Sequence, residues 1–112
     1  MKNVTTIVHH YLHCALWTAE LDNFNLEDIH ANAVTQALAD CTKFVDKAGD
    51  LLNELTEEQI GHDFWLSRNG HGAGFFDRDL GEIGDKLQEL ARKFGEKNAF
   101  PPEFAGNKII IE

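Results

Sequence analysis

At 112 residues, the chain is long enough for one domain with its own core, and 43% hydrophobic residues with 10% aromatics argue against disorder. Its formal charge of −9 is unevenly placed: from Asn3 to Ser67 eleven acidic residues meet only Lys43 and Lys47, whereas from Arg68 onward eight acids face seven bases. Such a field repels nucleic acid and anionic membranes and attracts basic surfaces, and no basic stripe supplies phosphate contacts, so direct nucleic-acid binding and membrane binding are both disfavoured.

The first predicted element is a helix over 4–20, with Val4, Ile7, Val8, Tyr11, Leu12 and Ala15 on one face. Its apolar run is broken by Thr5, Thr6, His9, His10 and His13. It also lacks a basic leader and a small-residue cleavage site, which predicts neither a signal peptide nor a membrane span. A short turn at 26–29 follows, capped by Asn25. Val34, Leu38, Cys41, Val45, Ala48, Leu52 and Leu55 then recur at helical spacing and predict a second helix from about 31 to 55 with this stripe inward. Cys14 and Cys41 are the only cysteines and read as free, buried thiols of a cytosolic protein.

Thr56 and Gln59 have the spacing of a capping box, and Leu55 with Ile60 that of a hydrophobic staple. They place a third helix over 57–68, stopped by Asn69-Gly70. A fourth helix is predicted over 80–94, with Asp79 and Glu82 capping its start and Gly95 ending it; Ile83, Leu87, Leu90, Ala91 and Phe94 are its inward set. In the tail, Pro101-Pro102 bar a helix, Gly106-Asn107 makes a turn, and Ile109 to Ile111 is β-branched. That pattern predicts a C-terminal hairpin, which residues 74–76 would extend as a third strand. The fold class is therefore mainly α: one compact four-helix domain, 1–112, with a small C-terminal β-hairpin, or α+β if the hairpin joins 74–76.

Two surfaces invite function. Asp46, Asp50, Glu54 and Glu58 lie four apart and, with Glu57, form an acidic stripe suited to a basic partner. The second is the stretch His62 to Gly81, "HDFWLSRNGHGAGFFDRDLG", where Arg68, Asn69, His71, Asp77, Arg78 and Asp79 crowd a glycine-rich turn. Acid, imidazole and guanidinium together suit phosphoryl or acyl chemistry, so an enzyme using Arg68, His71 and Asp77 is one reading. No nucleophile-base-orienter spacing or phosphate loop accompanies them, however. The preferred reading is a structural knot. Arg68 then pairs with Asp77 or Asp63, His71 bonds the loop backbone, and Phe64, Trp65, Phe75 and Phe76 enter the core. Gly70, Gly72 and Gly74 suggest positive φ or close approach, and Gly61, Gly81 and Gly84 suggest tight helix contacts.

His9 with His13, and His10 with Cys14, are four apart and could each place two metal ligands on a helix face. Only His30, His62, His71 or nearby acids remain to complete a site, and no zinc signature is present. The expectation is a polar face, with neither metal nor cofactor.

The long motif "GHDFWLSRNGHGAGFFDRDLG" resembles the signature of a widespread family of small bacteriophage and mobile-element proteins. An N-terminal "YL..ALW" pattern (Tyr11, Leu12, Ala15, Leu16, Trp17) and an "ADC..F" segment (Ala39, Asp40, Cys41, Phe44) extend the likeness over most of the chain. Ser67 and Phe76 depart from the more usual Thr and Trp. The resemblance implies phage origin and an address in the bacterial host cytoplasm, and it carries over no catalytic residues. With the charge, it leads to the expectation of an interaction protein. Such a protein would inhibit a host nucleic-acid-handling defence complex, a CRISPR effector or restriction system, by binding the basic surface of that protein or ribonucleoprotein. An accessory factor in phage replication or assembly is the further alternative, and self-association is left open.

Overall fold

The computed structural model describes residues 2–70, 74–102 and 108–112, with the backbone alone at Asp77. It contains helices α1 (Val4–Thr18), α2 (Ala31–Ala48), α3 (Glu57–Arg68) and α4 (Glu82–Arg92), with strands β1 (Ala99–Phe100) and β2 (Ile110–Ile111). Short 3-10 turns occupy Leu26–Asp28, Gly49–Leu52 and Phe75–Arg78. The predicted mainly helical fold with a small antiparallel C-terminal pair is thus what the chain adopts.

Local chemistry sets each boundary. The Asn3 side chain accepts the Thr6 N–H at 3.1 Å and starts α1. The helix stops at Thr18, short of the predicted Glu20, which sits at φ 60° outside it. His30 caps α2, its Nδ1 accepting the Asn32 N–H at 3.0 Å, a role the sequence pattern does not advertise. The α2 helix ends at Ala48 because Gly49 turns to φ 50°; the expected continuation to 55 is replaced by a 3-10 turn. The capping box of α3 forms in both directions, at 3.0 and 3.1 Å, over the buried Leu55 and Ile60.

The inward face of α2 is Ala33, Ala37, Cys41, Phe44 and Ala48. Val34 and Leu38, predicted inside, are 37% and 46% exposed. Small residues on that face let α2 approach its neighbours closely, and the larger aliphatics fall to its flank. On α1, the buried Ile7 and Tyr11, with His10, meet α3 at Gly61. A Cβ there would lie 2.8 Å from the Tyr11 backbone nitrogen and closer still to the Ile7 carbonyl, so glycine sets the interhelical distance.

Three further expectations are corrected. Residues 75–78 form a 3-10 turn, not a third strand; Ile109 instead bridges in parallel to Ile29. Phe75 is buried as expected, but Phe76 is 44% exposed because this turn points the two neighbouring rings apart. Helix α4 starts at Glu82 after Gly81 at φ 60°; Asp79 is left-handed at φ 59° and does not cap it, and Ile83 is 39% exposed. The Gly106-Asn107 turn, His71 and Gly72 lie outside the described residues.

Pairing in the hairpin is short, Ala99 with Ile111 and Phe100 with Ile110, and is extended by reciprocal Asn98–Glu112 backbone bonds of 2.8 and 2.9 Å. So small a ribbon is marginal alone. It is anchored by the fully buried Ile109 and by backbone bonds from His30 N to Ile109 O at 2.8 Å and from Ile109 N to Asp28 O at 2.7 Å.

Candidate functional site

The central motif runs down α3 and returns through the 75–78 turn. Its aromatic side chains continue the core: Phe44 stacks on Phe64 at 4.3 Å between centroids and on Phe75 at 5.5 Å, while Phe94 meets Phe64 edge-on at 5.0 Å. Tyr11 contacts both Phe64 and Trp65 at 5.3 Å. Such pairs contribute about 0.5–1.5 kcal/mol each beyond burial, so one small core gains several kcal/mol from geometry alone.

Within this apolar cage lies Arg68, 3% exposed. Its Nε donates to the Gly95 carbonyl and its Nη2 to the Phe94 carbonyl, both at 2.8 Å. Its Nη1 donates to the Tyr11 hydroxyl at 2.9 Å and to Asp40 Oδ2 at 2.8 Å. The guanidinium carbon sits 5.5 and 5.7 Å from the Phe64 and Phe94 ring centroids. One side chain thereby joins α3 to α1, to α2 and to the turn that follows α4. Among the described residues the carboxylate paired with Arg68 is Asp40, 28 residues earlier, and not the expected Asp63; the other expected partner, the Asp77 side chain, lies outside the described residues. Asp63 instead takes a bidentate pair from Arg78 Nε and Nη2.

The remaining polar members are similarly engaged. Ser67 Oγ accepts the Phe75 N–H at 3.2 Å, beneath Gly74 at φ 126°, where a Cβ would collide with that hydroxyl. Asn69 donates to the Trp65 carbonyl at 2.9 Å and accepts the Lys97 N–H at 2.7 Å. Trp65 Nε1 donates to Thr18 Oγ1 at 2.8 Å. Arg68, Asn69, Arg78 and Asp63 thus form a clasp around the 3-10 turn and the segment after α4. His71 and the Asp77 side chain are outside the described residues, and Asp79 is exposed. Arg68 spends four of its five N–H donors on described residues of the protein and is 3% exposed.

The acidic stripe is bent by the break after α2. Asp46 is on its last turn, Asp50 in the 3-10 turn, Glu54 in the connection, and Glu57 and Glu58 in the first turn of α3. Asp46, Asp50 and Glu57 line one cleft with Lys2, Val4, Thr42 and Val45, and Glu54 and Glu58 are exposed at the same corner. Glu57 also holds the fold, since its carboxylate accepts the Asn3 N–H at 3.1 Å. That bond, a second from its own N–H, and the charge of Lys2 hold its carboxyl below the usual carboxylate range. Lys2 Nζ donates to the Leu55 carbonyl, closing the clamp between the starts of α1 and α3. Asp46, Asp50, Glu54 and Glu58 have no ion pair among the described residues.

The His9 ring lies 5.2 Å from that of His10 and 5.9 Å from that of His13; His9 and His13 are exposed, His10 is half-buried against α3, and Cys14 is fully buried. Among the described residues no group of three or more His, Cys, Asp or Glu is arranged to hold a metal ion, and no helix is long and apolar enough to cross a membrane. Cys14 and Cys41 are free thiols in the core. No protein-family model, no curated protein and no solved structure matches the chain.

Proposed function

We propose that the protein is an acidic, phage-encoded interaction protein that binds a host protein or ribonucleoprotein complex and blocks its basic surface. The class of target is a nucleic-acid-handling defence complex, a CRISPR effector or a restriction enzyme, and the place of action is the host cytoplasm. The observation that carries this reading is the acidic corner between α2 and α3, where four exposed carboxylates, Asp46, Asp50, Glu54 and Glu58, have no ion pair among the described residues. Carboxylates free of internal partners meet a basic channel without first breaking a native contact, and they speed encounter by long-range attraction. The resemblance of the motif to phage proteins supplies the biological setting. The four bonds that hold Arg68 in the core weigh against the alternative enzyme reading.

The test pairs a protection assay with a melting measurement. Phage would be challenged on hosts bearing one defined CRISPR or restriction system, with the parent protein or Asp46→Lys/Asp50→Lys supplied in trans. The reading expects folding to persist and protection to fall. Undiminished protection by the reversed protein, or none by the parent against either class of system, rejects it.

A further inference from the structure

A cleft on the opposite flank of α2 carries charge of the other sign. Its walls are Lys43 and Lys47 of α2 and Lys93 at the end of α4, and its floor is the half-buried Leu90 and Phe94, with Asp40 at one edge. Lys43 and Lys47 are the only basic residues between Asn3 and Ser67, in a chain of net charge −9, and both face this one cleft. None of the three lysines makes an ion pair or side-chain hydrogen bond among the described residues. The single carboxylate present is already satisfied: Asp40 Oδ2 accepts from Arg68 and its Oδ1 accepts from Gln36 Nε2 at 2.9 Å. Three lysines therefore line one cleft whose single lining carboxylate is already paired, although acids are abundant elsewhere.

We infer that this cleft binds a small ligand bearing a diphosphate next to an apolar or aromatic portion, the chemistry of a nucleoside diphosphate. Three ammonium groups match the charge of two adjacent phosphates, and each lysine serves as a flexible point donor to them. The volume of about 420 Å³ is that of a small-molecule site. Leu90 and Phe94 offer an apolar floor to the rest of the ligand. A polyanion is the poorer fit, because a chain long enough to leave the cleft meets the acidic surface around it. The inference is independent of the acidic corner and stands whether or not that corner binds a partner.

Calorimetric titration of the full chain with ADP, and with adenosine as the uncharged probe, tests it at low and at physiological salt. ADP should bind, adenosine should not, and the affinity should fall as salt rises. Lys43→Gln/Lys47→Gln should weaken ADP at least about tenfold, the loss expected from removing two charge-assisted contacts. Lys86→Gln/Lys108→Gln, which changes net charge equally away from the cleft, should leave it within about twofold. Cooperative unfolding of both variants shows that the fold is retained. The inference fails if ADP does not bind at millimolar concentration, if adenosine binds as well as ADP, or if the two lysine pairs weaken ADP alike.

Discussion

A guanidinium at 3% exposure persists only because its nitrogens reach two carbonyls, a phenol and a carboxylate at 2.8–2.9 Å. Arg68→Ala removes these contacts together and strands Asp40 beside an empty space, so it should cost about 3–5 kcal/mol. Arg68→Lys should recover only part of this, because one ammonium cannot span acceptors on three elements. Denaturant midpoints of the two variants check both statements; an unchanged midpoint for Arg68→Ala would mean that the clasp does not hold the fold together. The buried thiols make a second residue-scale prediction. Burial, with the Asp63 charge adding to it, pushes the Cys14 thiol from 9.0 up to about 12. Burial also raises Cys41, Asp40 adding and Arg68 opposing, and raises the Tyr11 phenol against the pull of Arg68. Raised folded values favour the neutral forms, so this stability is fully present below the unfolded thiol range. It falls as pH climbs from about 8.5 toward the folded values. Under reducing conditions the midpoint should be flat to about pH 8 and then drop, and Cys14→Ala/Cys41→Ala should flatten the drop between about pH 8.5 and 10. A parent midpoint constant to pH 10 contradicts the assignment.

Elements were legible where their signals are local. The α3 start needed only Thr56, Gln59, Leu55 and Ile60, all within six residues; the capping box forms and both aliphatic residues are buried. The end of α2 was not, because Leu52 and Leu55 continue the apolar spacing beyond the backbone turn at Gly49. Periodicity reports which side chains are apolar, and the same period survives a helix breaking into a 3-10 turn. It also ranks Val34 and Leu38 above Ala33 and Ala37, whereas close packing selected the small pair. The partner of Arg68 was illegible for a different reason: Asp40 is 28 residues distant, and Asp63 and Asp77 were nearer carboxylates of the same kind. His30 as a cap carried no signal because histidine is a rare choice there. Two substitutions test the α1–α3 pair. Thr56→Ala should cost about 1 kcal/mol, the value of one cap. Gly61→Ala should cost more, about 1–3 kcal/mol, although alanine is the better helix former, because its methyl meets α1 backbone that cannot rotate away. Stabilisation by Gly61→Ala would show that the two helices separate freely.

At the scale of the whole molecule, net −9 on 112 residues makes the folded chain repel itself, chiefly through its first two thirds. Where each acid sits on its helix decides whether relieving that repulsion helps. Asp46 lies in the last turn of α2, at the negative end of the helix dipole, and Asp50 follows four residues on. Reversing both to Lys adds four charges, taking −9 to −5, and it also places cations near a helix C-terminus. Glu57 and Glu58 lie in the first turn of α3, where the dipole favours acid, and Glu57 also holds the Asn3 N–H. Reversing that pair gives the same net charge but loses both local benefits. The first double variant should therefore gain about 0.5–1 kcal/mol at low salt and the second should lose about 1–2 kcal/mol. In about 1 M salt, where the Debye length shrinks to about 3 Å, most of the first gain should vanish. Part of the second loss should remain, because a hydrogen bond to Asn3 is not screened as a distant charge is. Melting both variants across salt separates the two contributions. If both shift alike at low salt and return alike to the parent at high salt, net charge alone governs stability and the helix ends contribute nothing.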